Sequence, residues 1–222
     1  MLPGLGGNAG QMSGGPQVFV GNARNTTDAG DVSLTALANG VSSGIQAGDY
    51  AILIAHMGDQ NDAVTGWTKV DAWANYQSTA TDYCVVYEKL LAGSETAITE
   101  SDGLNERAMV YVFRNVSQSS PKDVTPTIDA DAESVDTSPP ITTVTPGCYV
   151  LSIISGEEDG GDISAAPSGY SALLTIGGGQ SDTGAAIKYL EAAGTETPGA
   201  FTVTGGGPTE PGGALTIAIR PG

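Results

Sequence analysis

The pentapeptide AGSET occupies residues 92–96, and AGTET occupies residues 193–197. Each closes a run in which apolar and polar residues alternate, DYCVVYEKLLAGSET in the first case and GAAIKYLEAAGTET in the second. The neighbouring segments match as well. GDYAILIAHMGD is answered by GCYVLSIISGEED, GWTKVDAW by GYSALLTI, and AMVYVFRN by ALTIAIRP, in the same order along the chain. Four matched segments in one order point to an internal repeat over residues 48–114 and 147–221. Alternation with period 2 and enrichment in β-branched residues make each segment a strand. A four-strand unit with one apolar face cannot bury that face by itself, but two such units can close over each other. The expected fold is therefore all-β: an antiparallel β-sandwich, jelly-roll-like, built from two similar four-strand halves. The repeated AGxET is expected to be the same turn in both halves, with Ala and Gly allowing tight backbone geometry and Glu and Thr satisfying local amides. Two small tandem domains rank second, because each half would have to fold on a thin core.

Strands are expected at 17–22, 31–37, 48–56, 66–74, 81–91 and 106–115, and again at 141–144, 147–155, 169–177, 184–192, 199–206 and 213–221. Between the two sets lies SQSSPKDVTPTIDADAESVDTSPP, residues 117–140, whose Pro, Asp, Ser and Thr content reads as a long connection. Residues 1–16 form a Gly-rich arm with isolated Leu2, Leu5 and Met12. The expected organisation is that arm followed by one β-sandwich domain over residues 17–222. An arm of this kind is suited to lying against its own domain or a neighbouring subunit.

Composition narrows the function. Only 15% of the 222 residues are charged, against roughly 25% in ordinary globular proteins. The formal net charge is −17, and the eight basic residues are scattered. Such a surface repels phosphate backbones and disfavours anionic membranes, so neither nucleic-acid binding nor membrane insertion is expected. The N-terminus has no basic region followed by an apolar core, so no signal peptide is expected. Cys84 and Cys148 each sit in an apolar strand pattern and read as buried thiols, with a disulfide between them as the less favoured reading.

Chemistry is hard to find. His56 is the only histidine, ends a strand and has no nucleophile motif around it, so it reads as a satisfied edge residue. Carboxylates are plentiful in loops: Asp59 and Asp62; Asp129, Asp131 and Glu133; Glu157, Glu158, Asp159 and Asp162. A glycosidase needs two of them facing across a cleft. DADAE alternates oxygens like part of a Ca²⁺ loop but lacks the Gly and distal Glu of an EF-hand. The Gly-rich stretches GGGQSDTG and GGGP carry no Lys and open no helix, so they cradle no phosphate. No catalytic, cofactor-binding or metal-ligating residue is assigned, and no cofactor is expected.

The pattern GDYAILIAHMGD, GWTKVDAW, YCVVYEKLLAGSET and MVYVFRN, repeated as PGCYVLSIISG, PSGYSALLT, AAIKYLEAAGTET and ALTIAIRP, resembles a group of bacteriophage virion proteins of the tail-fibre, receptor-binding and head-decoration jelly-roll type. That group shares a GD-led apolar strand, a P-x-GW turn, a K-x-AGxE turn and a terminal RP. The first half keeps Gly66-Trp67 without the Pro, and the second keeps Pro167-Ser168-Gly169 with Tyr170 in place of Trp. The resemblance implies a non-enzymatic structural protein located in the virion, acting in particle assembly or host-surface attachment. It implies other virion proteins as partners through the arm, a homo-oligomer with a trimer favoured, and a host glycan as a further partner. The competing class is a stand-alone carbohydrate-binding module or adhesin, which would be a monomer with an aromatic-lined groove.

Overall fold

The structure, a computed structural model, describes residues 15–25, 27, 30–41, 44–74, 83–99, 102–104, 107–132, 136–157, 162–178, 181–204 and 212–222. Residues 1–14 of the expected arm lie outside that set. The strands of the first part are β1 (Val18–Arg24), β2 (Val32–Ser33), β3 (Tyr50–Met57), β4 (Thr68–Ala74), β5 (Tyr83–Leu90), β6 (Ala97–Ile98) and β7 (Ala108–Arg114). Those of the second are β8 (Thr127–Ala132), β9 (Ile141–Thr142), β10 (Cys148–Glu157), β11 (Asp162–Ala165), β12 (Ser171–Gly178), β13 (Ser181–Leu190), β14 (Thr195–Glu196), β15 (Thr202–Thr204) and β16 (Gly212–Ile219).

Two antiparallel sheets of five strands each pack together as a β-sandwich. Their orders are β1-β7-β3-β5-β4 and β8-β16-β10-β13-β12. Each sheet draws its strands from one contiguous stretch of chain, so the sheets are stacked rather than interleaved. Short pairs β2-β6, β9-β14 and β11-β15 are appended.

The expected four strands per sheet become five. One added strand, β1, was legible in the sequence. The other, β8, lies inside residues 117–140, where a connection was expected. TIDADA does alternate, but its Asp residues and its flanking Pro and Ser disguise the pattern. It pairs only with β16, at the sheet margin, where charged side chains are tolerated and discourage further pairing. Conversely, DVSLTAL forms only the two-residue β2. Its Val32, Leu34 and Leu37 are buried by lying across the first sheet instead of joining it.

The core has a layer between the sheets and a second layer outside one of them. Between them, Ile52, Ile54, Val86, Met109, Tyr111 and Phe113 meet Leu151, Ile153, Ala185, Ile187, Leu215 and Ile217. The opposite face of the first sheet is also covered, with Ala51, Leu53, Val85, Val110 and Val112 packed under Leu34, Val64, Leu91, Ile98 and Leu104. All eight residues of β3 are buried, which is why its sequence is an almost continuous apolar run. β1 lies against β12 and β4 against β8 and β16, so each margin of one sheet faces a margin of the other.

One tyrosine ties the sheets together. β12 bulges between Ser171 and Leu174, with Ala172 at φ 54°, and leaves backbone groups off the ladder. The Tyr111 hydroxyl, on the other sheet, lies 3.0 Å from the Ala172 carbonyl, contacts the Ala185 carbonyl and accepts the Leu174 N–H at 3.1 Å. Asn22 Nδ2 donates to the same Ala172 carbonyl at 2.9 Å. Tyr111→Phe keeps the ring but strands these buried polar groups. It is expected to lower unfolding free energy by about 1–3 kcal/mol in denaturant titrations, without loss of β-sheet circular dichroism.

Candidate functional site

The residues singled out for chemistry do not converge. His56 is 3% exposed and lies between the sheets rather than at an edge, because β3 is the central strand of its sheet and its end stays covered. Its Nε2 lies 2.7 Å from Thr183 Oγ1, which in turn bonds Ser155 Oγ, so a buried polar chain spans the sandwich. Asp59 and Asp62 knot their own loop, Asp59 accepting the Asn61 N–H at 2.8 Å and Asp62 the Asp59 N–H at 3.1 Å. Asp129 is exposed on β8 and Asp162 on β11, in different sheets, while Asp131 and Glu157 fall within β8 and β10. Glu133, Glu158 and Asp159 lie outside the described residues. Among the described residues no three His, Cys, Asp or Glu side chains gather to hold a metal ion, and no helix is long and apolar enough to cross a membrane. Cys84 and Cys148 are buried thiols, not joined in a disulfide, and lie in different sheets. Burial, with Asp123 beside it, pushes the Cys148 thiol up to about 12, so it stays protonated.

What the repeated motifs build is a pair of clasps. In the first, Lys89 Nζ sits 5.8 Å over the Trp67 ring and 3.3 Å from Glu95. In the second, Lys188 Nζ sits 5.8 Å over the Tyr170 ring and 2.9 Å from both oxygens of Glu196. The aromatic comes from the Gly-Trp or Gly-Tyr turn, the lysine from β5 or β13, and the glutamate from AGSET or AGTET. A cation held between a ring face and a carboxylate explains why those residue types recur together. The recurrence of GW or GY, K and AGxE in the same order carried the signal, although the separations between them differ in the two halves of the sequence.

The two pentapeptides are nevertheless different turns. Gly48 N–H bonds the Leu91 carbonyl, and Gly147 N–H bonds the Leu190 carbonyl, marking equivalent strand ends. Ala92-Gly93 follows Leu91 directly, whereas Glu191-Ala192 separates Leu190 from Ala193-Gly194. Gly93 has φ 84° and presses on the Ala47 backbone. Glu95 accepts the Ala92 and Gly93 N–H groups, each at 2.9 Å. Gly194 instead exchanges hydrogen bonds with Thr143, and Glu196 turns inward to 8% exposure. Burial raises the Tyr170 phenol well above its ordinary range, and Glu196 adds to the shift.

A groove crosses the end of the molecule where the chain enters β1. One cavity of about 660 Å³ is lined by Gln46–Asp49 and Arg114–Ser119. Beside it, a cavity of about 600 Å³ is lined by Gly15, Pro16, Pro146, Tyr189 and Pro221, and shares Ser117, Ser119 and Gly222 with the first. Arg114 anchors this end by a two-pronged contact with buried Asp49, at 2.8 and 2.7 Å. In the second sheet Cys148 stands where Asp49 would be, and the carboxylate comes from Asp123, which accepts the Val144 and Thr145 N–H groups. Tyr189 and Val144 are 44% and 68% exposed here, so the apolar surface is open.

Gly93→Ala would place a Cβ 2.4 Å from the Ala47 nitrogen in a left-handed backbone, whereas Gly194, at φ 158°, adds backbone strain alone, with nothing within 4 Å of that position. The first substitution is expected to cost about 2 kcal/mol or more and the second distinctly less, read as paired melting temperatures. Burial pushes the Glu95 carboxyl up, but the backbone amides and Lys89 outweigh it and hold it below its ordinary 4.5. A lowered folded value means stability that is complete above 4.5 and fades as pH falls through the folded value. Glu95→Gln is therefore expected to show a smaller drop in melting temperature than the parent between about pH 5 and about pH 3 in calorimetry. Compared with protein-family models, curated proteins and solved structures, the chain matches none.

Proposed function

We propose that the protein is a non-enzymatic structural protein of a bacteriophage virion, acting as a homo-oligomer in particle assembly or host-surface attachment. The observation that carries this reading is the apolar groove around Pro16, Pro146, Tyr189 and Pro221, at the end where residues 1–14 join the sandwich. An open apolar groove rimmed by polar residues is an expected feature of a surface that meets another chain. Pro16 is held there by its carbonyl, which accepts Asn115 Nδ2 at 2.9 Å. A closed three-fold ring, with each arm reaching the groove of the next copy, is the arrangement this reading favours. A low share of charged residues, 15%, and scattered cations fit a packed particle component.

The reading includes an architecture: two copies of one five-strand unit, joined in tandem and closed face to face. Its support is the matching order of the two sheets, the matching side pairs β2-β6 and β9-β14, and the two clasps. Because each sheet comes from one stretch of chain, the likeness to a jelly roll extends to two stacked antiparallel sheets and not to strand exchange between them. The second reading, a stand-alone carbohydrate-binding module, is favoured by one observation, a cavity beside Trp67.

Light scattering with size exclusion on the full chain and on a chain lacking residues 1–14 tests assembly. The expected outcome is a defined oligomer that the truncation reduces to monomer and that Tyr189→Glu weakens. Monomers throughout, at concentrations up to about 100 μM, would remove the assembly reading.

A further inference from the structure

We infer that the cavity beside the first clasp is a binding site for one neutral sugar ring, with Lys89, Glu95 and Asp102 as its polar contacts and Trp67 as its apolar wall. The inference rests on comparing the two clasps, and it deepens the attachment side of the proposed function. In the second clasp the lysine is consumed by the protein. Lys188 reaches both oxygens of Glu196 at 2.9 Å, Tyr170 Oη donates to the same carboxylate at 3.3 Å, and Glu196 is buried. In the first clasp Glu95 turns both oxygens to the amides of its own turn, and Lys89 meets it at 3.3 Å at one oxygen. The clasp is looser, and a cavity of about 280 Å³ opens against it, walled by Leu34, Trp67, Lys89, Glu95, Thr96 and Asp102.

The lining selects the ligand class. An ammonium donor, two carboxylates and a threonine line the cavity together with an indole and a leucine, and Asp102 is fixed in place by accepting the Thr99 N–H at 2.9 Å and its hydroxyl at 3.1 Å. A pyranose ring has the matching mixture of hydroxyl donors, acceptors and an apolar face. An anionic ligand would meet Glu95, Asp102 and a chain of net charge −17, whereas a neutral ligand rich in hydroxyls uses both the lysine donor and the carboxylate acceptors. The volume, about 280 Å³, lies just below the usual range of ligand pockets, which starts at roughly 300 Å³, and suits one ring rather than a chain of sugars. The protein could present this pocket to the terminal residue of a surface glycan.

The test is a two-dimensional NMR titration of the isotopically labelled full chain with glucose, galactose, mannose and N-acetylglucosamine. The expected result is saturable shifts of Trp67, Thr96 and their neighbours by at least one sugar, with a dissociation constant on the order of 1 mM. Lys89→Gln is expected to weaken binding about tenfold or more while the remaining spectrum keeps its dispersion. Thr96→Val provides a second variant that leaves the clasp intact and is expected to weaken binding by a smaller factor. Lys188→Gln, in the closed clasp, is expected to leave the affinity unchanged. No shift with any of the four sugars, shifts that map away from Trp67, or equal affinity in Lys89→Gln would overturn the assignment. The outcome is separable from the assembly reading. An arm-dependent oligomer that binds no sugar loses only the pocket, and a monomer that binds sugar loses only the assembly.

Discussion

The apolar layer between the two sheets is the contact around which the rest of the molecule is arranged. Ile52, Ile54, Val86, Tyr111 and Phe113 from one sheet share it with Leu151, Ile153, Ile187, Leu215 and Ile217 from the other. Neither sheet could leave that face in water, since each buried aliphatic side chain contributes about 1.5–3 kcal/mol relative to exposure. Two sets of polar groups trapped in this layer are bonded across it. Tyr111 completes the bulge of β12, and His56, Thr183 and Ser155 form a chain of hydrogen bonds. Thus the few polar atoms at the interface also fix how one sheet is seated on the other.

The two sheets differ in how their outer faces are protected. Over the first, loops carrying Leu34, Leu37, Val64, Ile98 and Leu104 build a second apolar layer. Over the second, the cover is thinner and partly polar. Phe201 meets Ile154, Ala186 and Ala214, while Ser138, Ser152 and Thr216 bond one another. The clasps stand on these outer faces, and their divergence follows the loops. In the second sheet Glu191-Ala192 displaces AGTET and lets Glu196 reach inward. In the first, AGSET stays tight against Ala47, Glu95 caps its own turn, and space remains beside Lys89. Two residues of loop length therefore separate a filled ion pair from an open cavity.

At the end of the molecule the same requirement, a carboxylate near the arginine that closes the last strand, is met in two ways. Asp49 lies next to β3 in sequence, and Arg114 grips it directly. Asp123 arrives from the connection before β8, accepts the backbone of Val144 and Thr145, and feels the charge of Arg220. That relocation brings Pro146, Pro221 and Tyr189 to one rim, where the chain from residue 15 also lies. The groove is thus a by-product of how the second sheet is anchored, with Tyr189 44% exposed at its rim.

Much of the fold was legible in the chain because strands buried on both faces read as short continuous apolar runs bounded by turn residues, as in YAILIAHM, YCVVYEKL and AMVYVFR. The recurrence of GW or GY, K and AGxE marks two similar places in the chain. β8 escaped because an edge strand with one solvated face admits Asp at alternate positions, and composition then mimics a loop. His56 was placed at an edge because local sequence cannot say which strand lies in the middle of a sheet. The sequence by itself determined the all-β class, the position of most strands and the residue types that recur, since these depend on neighbours a few positions apart. Tertiary structure alone decided sheet membership, the closed and open forms of the clasp and the groove beside the arm. Each of those depends on side chains brought together from segments far apart, through loop lengths whose geometric effect is not written in any local pattern.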